Sequence, residues 1–292
     1  MHGKQDRPCY IQIKIAMIKA DAYYIKNLRK IMEEGCLDEN PRPRYKDGTH
    51  AHSRFITGVF EEYDISNGEF PIPTLRNTAV KTSINEILWI YQKQTSSLEI
   101  ARQMGVKWWG EWDIGNDTIG QRYGATIARY DLMNRLLDGL VRNPFGRRHG
   151  INMFQYADLA ESEGLYPCAY ETLYSVRRGP EGLLLDMTLI QRSNDFVVAG
   201  FINKVQYTAL LMMIAGHCGY GVGTFRHLVQ NLHVYDRHYG AVEEILSRQP
   251  IDRQPKMILD AKRNFYDYTV DDFQVTGTEG ITNIKSSLEL AI

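Results

Sequence analysis

One α/β domain is what this chain predicts, on three observations. Apolar residues recur at helical spacing in several stretches, and short β-branched or aromatic runs lie between them. No repeat, low-complexity tract or linker interrupts that succession. A length of 292 residues could fill one large domain or two small ones, and the missing linker favours one.

Taken in order, residues 11–15 alternate apolar with polar and suit a short strand, though nothing turn-like nearby pairs with them. From Asp21, read as an N-cap, Tyr24, Leu28 and Ile31 share one helical face and Gly35 ends the helix. Residues 38–53 form a loop carrying Arg42, Arg44 and Lys46, and 55–63 are strand-like. Asn67-Gly68 marks a turn, and Pro71 and Pro73 keep the next stretch extended. Residues 83–94 and 98–104 are helical, with Glu86 among apolar neighbours, and a looser segment with Trp108, Trp109 and Trp112 follows. Residues 130–142 predict an amphipathic helix closed by Asn143-Pro144. Strands are expected at 183–191, 196–198 and 225–229, and helices at 204–218 and 240–247. Residues 265–273 and 284–292 read as short extended pieces.

Composition excludes several classes of function. A net charge of −1 argues against a general polyanion binder, so no nucleic-acid partner is expected. No apolar run approaches the roughly 20 residues of a membrane span. The first residues lack the apolar core and cleavage site of a secretory signal. Cys9, Cys36, Cys168 and Cys218 form no CxxC pair, so neither a disulfide framework nor a metal knuckle is indicated. A cytoplasmic chain with reduced thiols is the expectation.

The chemistry gathers in the second half. Cys168 lies in Tyr166-Pro167-Cys168-Ala169-Tyr170, followed by Gln191-Arg192-Ser193-Asn194-Asp195, then Asn203, then His233-Val234-Tyr235. A thiolate needs positive neighbours. A guanidinium with a hydroxyl suits an anion, and an amide presents a donor and an acceptor to a base. Together they point to a nucleophilic cysteine aimed at a phosphorylated heterocycle. Glu86, in an apolar helical stretch, is a carboxyl whose pKa burial would raise, which suits proton relay.

In this order and spacing the chain resembles thymidylate synthases, from about Tyr24 to Ile292. Asn85-Glu86-Ile87-Leu88-Trp89, Trp109 to Trp112, Tyr123-Gly124 and Arg147-Arg148 fit as well. The resemblance implies a three-layer α/β (α+β) fold with a large mixed sheet that forms a homodimer interface. It divides the chain into an extension, 1–20, and one catalytic domain, 21–292. The implied reaction is reductive methylation of dUMP to dTMP by 5,10-methylenetetrahydrofolate, with no metal.

Implied roles follow residue by residue. Cys168 adds to C6 of the uracil, Glu86 relays protons, Tyr123 serves proton removal from C5, and Asn203 reads the base edge. Arg192 and Ser193 hold the phosphate with Arg147 and Arg148 from the partner subunit, and with Arg42, for which Arg44 is the rival. His233 and Tyr235 take the ribose hydroxyl. Asp195 meets the pterin, Trp109 and Trp112 flank the folate, and the tail Leu290-Ala291-Ile292 closes over it. Departures from the family pattern are Ala169 where many members have His, Asn231 for a common Asp, and no Pro-Phe before Asn203.

A pyrimidine-nucleotide hydroxymethylase of the same fold is the nearest rival, with water in place of the hydride. A hydrolase pairing Cys168 with His149, His217 or His233 would leave Arg192-Ser193 without a purpose. A non-catalytic nucleotide binder would have no use for Cys168 and Glu86.

Overall fold

The structure, a computed structural model, describes residues 17–260, 262 and 264–292; the strand expected at 11–15 lies outside them. Helix α1, Lys19–Glu34, opens the described chain. Ile18, not Asp21, is its N-cap. Asp21 is buried one turn in, where its carboxylate accepts from the Thr74 backbone N–H (2.8 Å) and hydroxyl (2.6 Å). It ties the Pro71–Pro73 stretch to the helix, because a buried carboxylate needs donors that the helix N-terminus does not supply here.

Strands β1 (Cys36–Leu37), β2 (Ser53–Asp64), β3 (Gly150–Asn152), β4 (Ala169–Gly179), β5 (Gly182–Asp195) and β6 (Gly221–Tyr235) form one sheet in the order β1-β2-β6-β5-β4-β3. β5 and β6 are parallel and the other pairs antiparallel, so the sheet is mixed, as expected. A parallel pair needs a crossover, and helix α7, Gly200–Cys218, is that crossover. Apolar on all sides, α7 is buried between the sheet and helices α2 (Val80–Ile87) and α5 (Leu132–Arg142). α3 (Leu98–Gln103), α4 (Gly124–Arg129), α6 (Tyr156–Glu161) and α8 (Tyr239–Ser247) complete the helices, and β7 (Lys256–Leu259) pairs with β8 (Phe273–Thr276). The other face of the sheet leaves Phe60 and Leu173 about half exposed.

Several expected elements are corrected. Residues 196–198 form a turn, because Asp195 accepts from the Val197 and Val198 N–H groups and bends the chain into α7. The helix expected at 130–142 is α5, which starts only at Leu132 because Asp131 takes φ +48° and separates it from α4. α2 starts at Val80 and widens into a π-turn over Leu88–Gln92. Residues 265–273 make two 3-10 turns, with a strand only from Phe273. Residues 284–292 lie without regular structure along the body.

Candidate active site

The carboxyl ends of β5 and β6 and the first turn of α7 meet at one edge of the sheet, the place where α/β folds put ligands. Register brings the motifs together: Ala169 pairs with Gln191, and Asp195 with His233. A cavity of about 900 Å³ opens there.

Cys168 sits just before β4 at its floor, half-buried, with Sγ 3.4 Å from Arg192 Nη2. Arg192 is aimed by two carbonyls, donating from Nε to Pro167 (3.0 Å) and from Nη2 to Tyr166 (2.6 Å). Burial pushes the Cys168 thiol up, against the opposing pull of Arg192 and Arg42, so the resting sulfur is a thiol. The Cys168 backbone N–H donates to the Tyr123 hydroxyl (3.0 Å). Tyr123 holds φ at +46°, a strained conformation for a non-glycine residue, and burial lifts its phenol well above the ordinary range. Gly124 beside it is required by space, since a Cβ there would stand 2.4 Å from the Thr95 carbonyl oxygen.

Glu86 faces this cavity from α2, buried, with its pKa raised to about 7 chiefly by that burial. The Trp108 indole N–H donates to its carboxylate. Trp109, expected from the sequence on the folate side, lines the cavity and packs between Trp112 (5.4 Å between ring centroids) and Tyr123 (5.2 Å). Its buried Nε1, without a partner of good geometry among the described residues, lies toward the Glu86 carboxyl.

Asn203, in the first turn of α7, accepts at Oδ1 from Gln191 (3.1 Å) and Asn194 (3.0 Å) and donates from Nδ2 to Gln206 (2.9 Å). His233 is buried and meets Tyr235 edge to face at 4.9 Å, while its Nδ1 bonds to Asn231 Oδ1 (3.0 Å). Burial lowers the His233 pKa, which keeps the imidazole neutral. Ser193 lines the cavity. Asp195 spends Oδ1 on the turn into α7, and its Oδ2 lies 3.8 Å from His238.

Arg42 lines the cavity, whereas Arg44 donates to the Gly48 carbonyl (2.8 Å) and points elsewhere, so the loop arginine at the site is Arg42. Arg147 and Arg148 are exposed on the loop between α5 and β3 and do not line the cavity of their own chain. Leu290, Ala291 and Ile292 line the cavity. Ile292 and Arg44 exchange two backbone hydrogen bonds (2.7 and 2.9 Å), and Glu289 is held by Arg237 (2.7 Å) and by His238. The sequence reading missed Trp108 and Gln206, which line the cavity, and His238, which meets Asp195 and Glu289 behind it. The first stood beside Trp109 as an equal indole donor, and the other two carried no signal.

Among the described residues, no cluster of three or more His, Cys, Asp or Glu side chains could hold a metal ion, and no helix is long and apolar enough to cross a membrane.

Fold and cavity together are those of an α/β enzyme with a thiol at the floor of a deep cleft. A sequence model of thymidylate synthase matches residues 22–290. Thymidylate synthase of Lactococcus lactis subsp. lactis is 48% identical over 269 residues, 91% of this chain and 96% of that protein. That of Streptococcus gordonii is 49% identical, over 89% and 94% of the two chains. The structure of thermostable thymidylate synthase A from Bacillus subtilis superposes with a TM-score of 0.85 at 30% identity, covering 93% of this chain and 99% of that one. The chain belongs to the thymidylate synthase family.

Proposed function

We propose that this chain catalyses the reductive methylation of dUMP to dTMP, with 5,10-methylenetetrahydrofolate as cosubstrate and dihydrofolate as the second product. The carrying observation is that Cys168, Arg192, Asn203 and Glu86 line one cavity, in a chain of this family. The cavity also fits both substrates. About 900 Å³ is at the upper end of small-molecule pockets, which run to roughly 1,000 Å³. The aromatic wall of Trp109 and Trp112 suits a flat heteroaromatic ring.

In this reading Arg192, Arg42 and Ser193 take the dUMP phosphate, and His233 with Tyr235 takes the ribose hydroxyl. Asn203 presents its amide to the pyrimidine edge. Cys168 adds through sulfur to C6 of the uracil, giving up its proton as the bond forms. Glu86, poised near neutrality, gives and takes protons through water during addition and elimination. Tyr123 places its hydroxyl beside the nucleophile for proton removal from C5. The folate, held by Trp109, Trp112, Asp195 and Ala291, supplies the one-carbon unit and the hydride. Leu290 to Ile292, which line the cavity, close it against water in this reading, and that closure favours hydride capture over the hydroxymethylase alternative.

Arg147 and Arg148 complete the phosphate site of a partner subunit, in a homodimer joined through the sheet face that carries Phe60 and Leu173. The chain acts in the cytoplasm, with 21–292 as one catalytic domain and 1–20 as an extension. Incubation with dUMP and the folate, followed by mass spectrometry of the nucleotide, tests the reaction. Addition of 5-fluoro-dUMP should trap a covalent complex at Cys168, and Cys168→Ser should bind dUMP without turnover. A hydroxymethyl product, or no adduct at Cys168, would refute the proposal.

A further inference from the structure

Asn203 is held by a hydrogen-bond chain that runs in one direction. Gln191 donates from Nε2 both to Asn203 Oδ1 (3.1 Å) and to the Ser193 carbonyl (3.0 Å), so its own oxygen must face His227 Nε2 (2.8 Å). His227 therefore carries its proton on Nε2, and burial beside Lys204 keeps the ring neutral. Asn194 donates a second bond to Asn203 Oδ1 (3.0 Å), so two N–H donors define that end of the amide as the oxygen. At the other end Asn203 Nδ2 donates to Gln206 Oε1 (2.9 Å). Gln206 is buried, and its Nε2, without a partner of good geometry, lies toward the Glu86 carboxyl, whose ionised form it favours.

We propose that Gln206 is a specificity-determining residue: by accepting from Asn203 Nδ2 it locks the carboxamide in the orientation that suits uracil and opposes the one that suits cytosine. The proposal rests on the base-reading role given to Asn203 above. Uracil offers an acceptor at O4 and a donor at N3, whereas cytosine offers the reverse. Serving cytosine requires the Asn203 amide to turn over. Its nitrogen would then meet the N–H groups of Gln191 and Asn194, and its oxygen would meet Gln206 Oε1. Three bonds would be exchanged for three repulsive contacts in a buried site. The Gln191 end is fixed in turn by His227 and the Ser193 carbonyl, and Gln206 closes the end nearer Glu86. Ala169, next to the nucleophile, brings no polar side chain that could take over this role.

The test compares dUMP and dCMP dissociation constants by calorimetry for wild type, Gln206→Leu and Gln206→Glu. Removing the acceptor in Gln206→Leu should lower discrimination for dUMP by about fivefold, the equivalent of one ordinary net hydrogen bond. Gln206→Glu keeps an acceptor oxygen toward Asn203 at equal size and should keep wild-type discrimination. That rescue separates orientation of the amide from mere filling of space, and Gln206→Met, of similar length and without the amide oxygen, takes the place of Gln206→Leu if the latter does not fold. Unchanged discrimination in folded Gln206→Leu, or equal loss of discrimination in both variants, would overturn the proposal. Failure of the wild type to bind dUMP would instead remove the base-reading role of Asn203, and Gln206's role with it.

Discussion

Glu86→Gln should make the protein more stable and less active at once, and the gain should depend on pH. In the folded chain Glu86 titrates at about 7 instead of its ordinary 4.5, because burial penalises the carboxylate. At about 1.4 kcal/mol per tenfold change in proton affinity, ionising it in place costs about 3 kcal/mol. Between pH 4.5 and 7 the folded state binds more protons here than the unfolded state, so stability falls as pH rises through that window and levels off above it. The substitution removes this penalty, and the introduced amide oxygen can still accept from Trp108. The gain over wild type should be under about 1 kcal/mol at pH 5 and about 3 kcal/mol at pH 8. At roughly 2–4 °C per kcal/mol, the melting temperature at pH 8 should rise by about 6–12 °C. Urea denaturation of ligand-free protein at both pH values, at one fixed protein concentration, measures this. Turnover should fall by about 10²–10⁴-fold, as for loss of a general acid–base group. A stability difference that does not change between pH 5 and pH 8 would refute the argument, and so would wild-type turnover.

Three further outcomes are expected. Lys204→Met strands Glu61, which pairs with it at 3.2 Å with both side chains almost wholly buried. Denaturation should show a loss of about 3 kcal/mol, the lower end for a broken buried pair because Asn27 and Tyr63 still donate to Glu61, and Lys204→Met with Glu61→Gln should recover most of it. Arg237→Ala frees Glu289 from the ion pair that holds the tail, and should raise the folate KM about threefold with dUMP affinity unchanged, an effect that shrinks in high salt. Arg147→Ala and Arg192→Ala, inactive in separate preparations, should recover activity when mixed, since one site of each heterodimer keeps both arginines. Confirmed subunit exchange with no recovery would place Arg147 outside the shared site.

Legibility in the sequence followed the range of the interactions. Cys168, Arg192, Asn203, His233 and Glu86 were readable because their chemistry is written in residue type and chain order, and the long apolar run of α7 announced a buried helix by itself. The order of the strands was not readable. β4, which follows the nucleophile directly, alternates too irregularly to declare itself, and β6 proved far longer than its apolar centre at 225–229. Strand partners lie up to about 180 residues apart, as with Ser53 and Tyr235, so only the closed sheet sets the register that puts Asp195 beside His233. That the Trp108 N–H meets Glu86 was not legible in the sequence, because it depends on the turn at Trp108–Trp112. That Arg42 and not Arg44 lines the cavity, that the tail pairs with Arg44 and that the amide chain runs through Gln206 are likewise visible only in three dimensions. Residue chemistry is local and survives in the linear chain, but which donor meets which acceptor depends on packing, and packing exists only in the folded state.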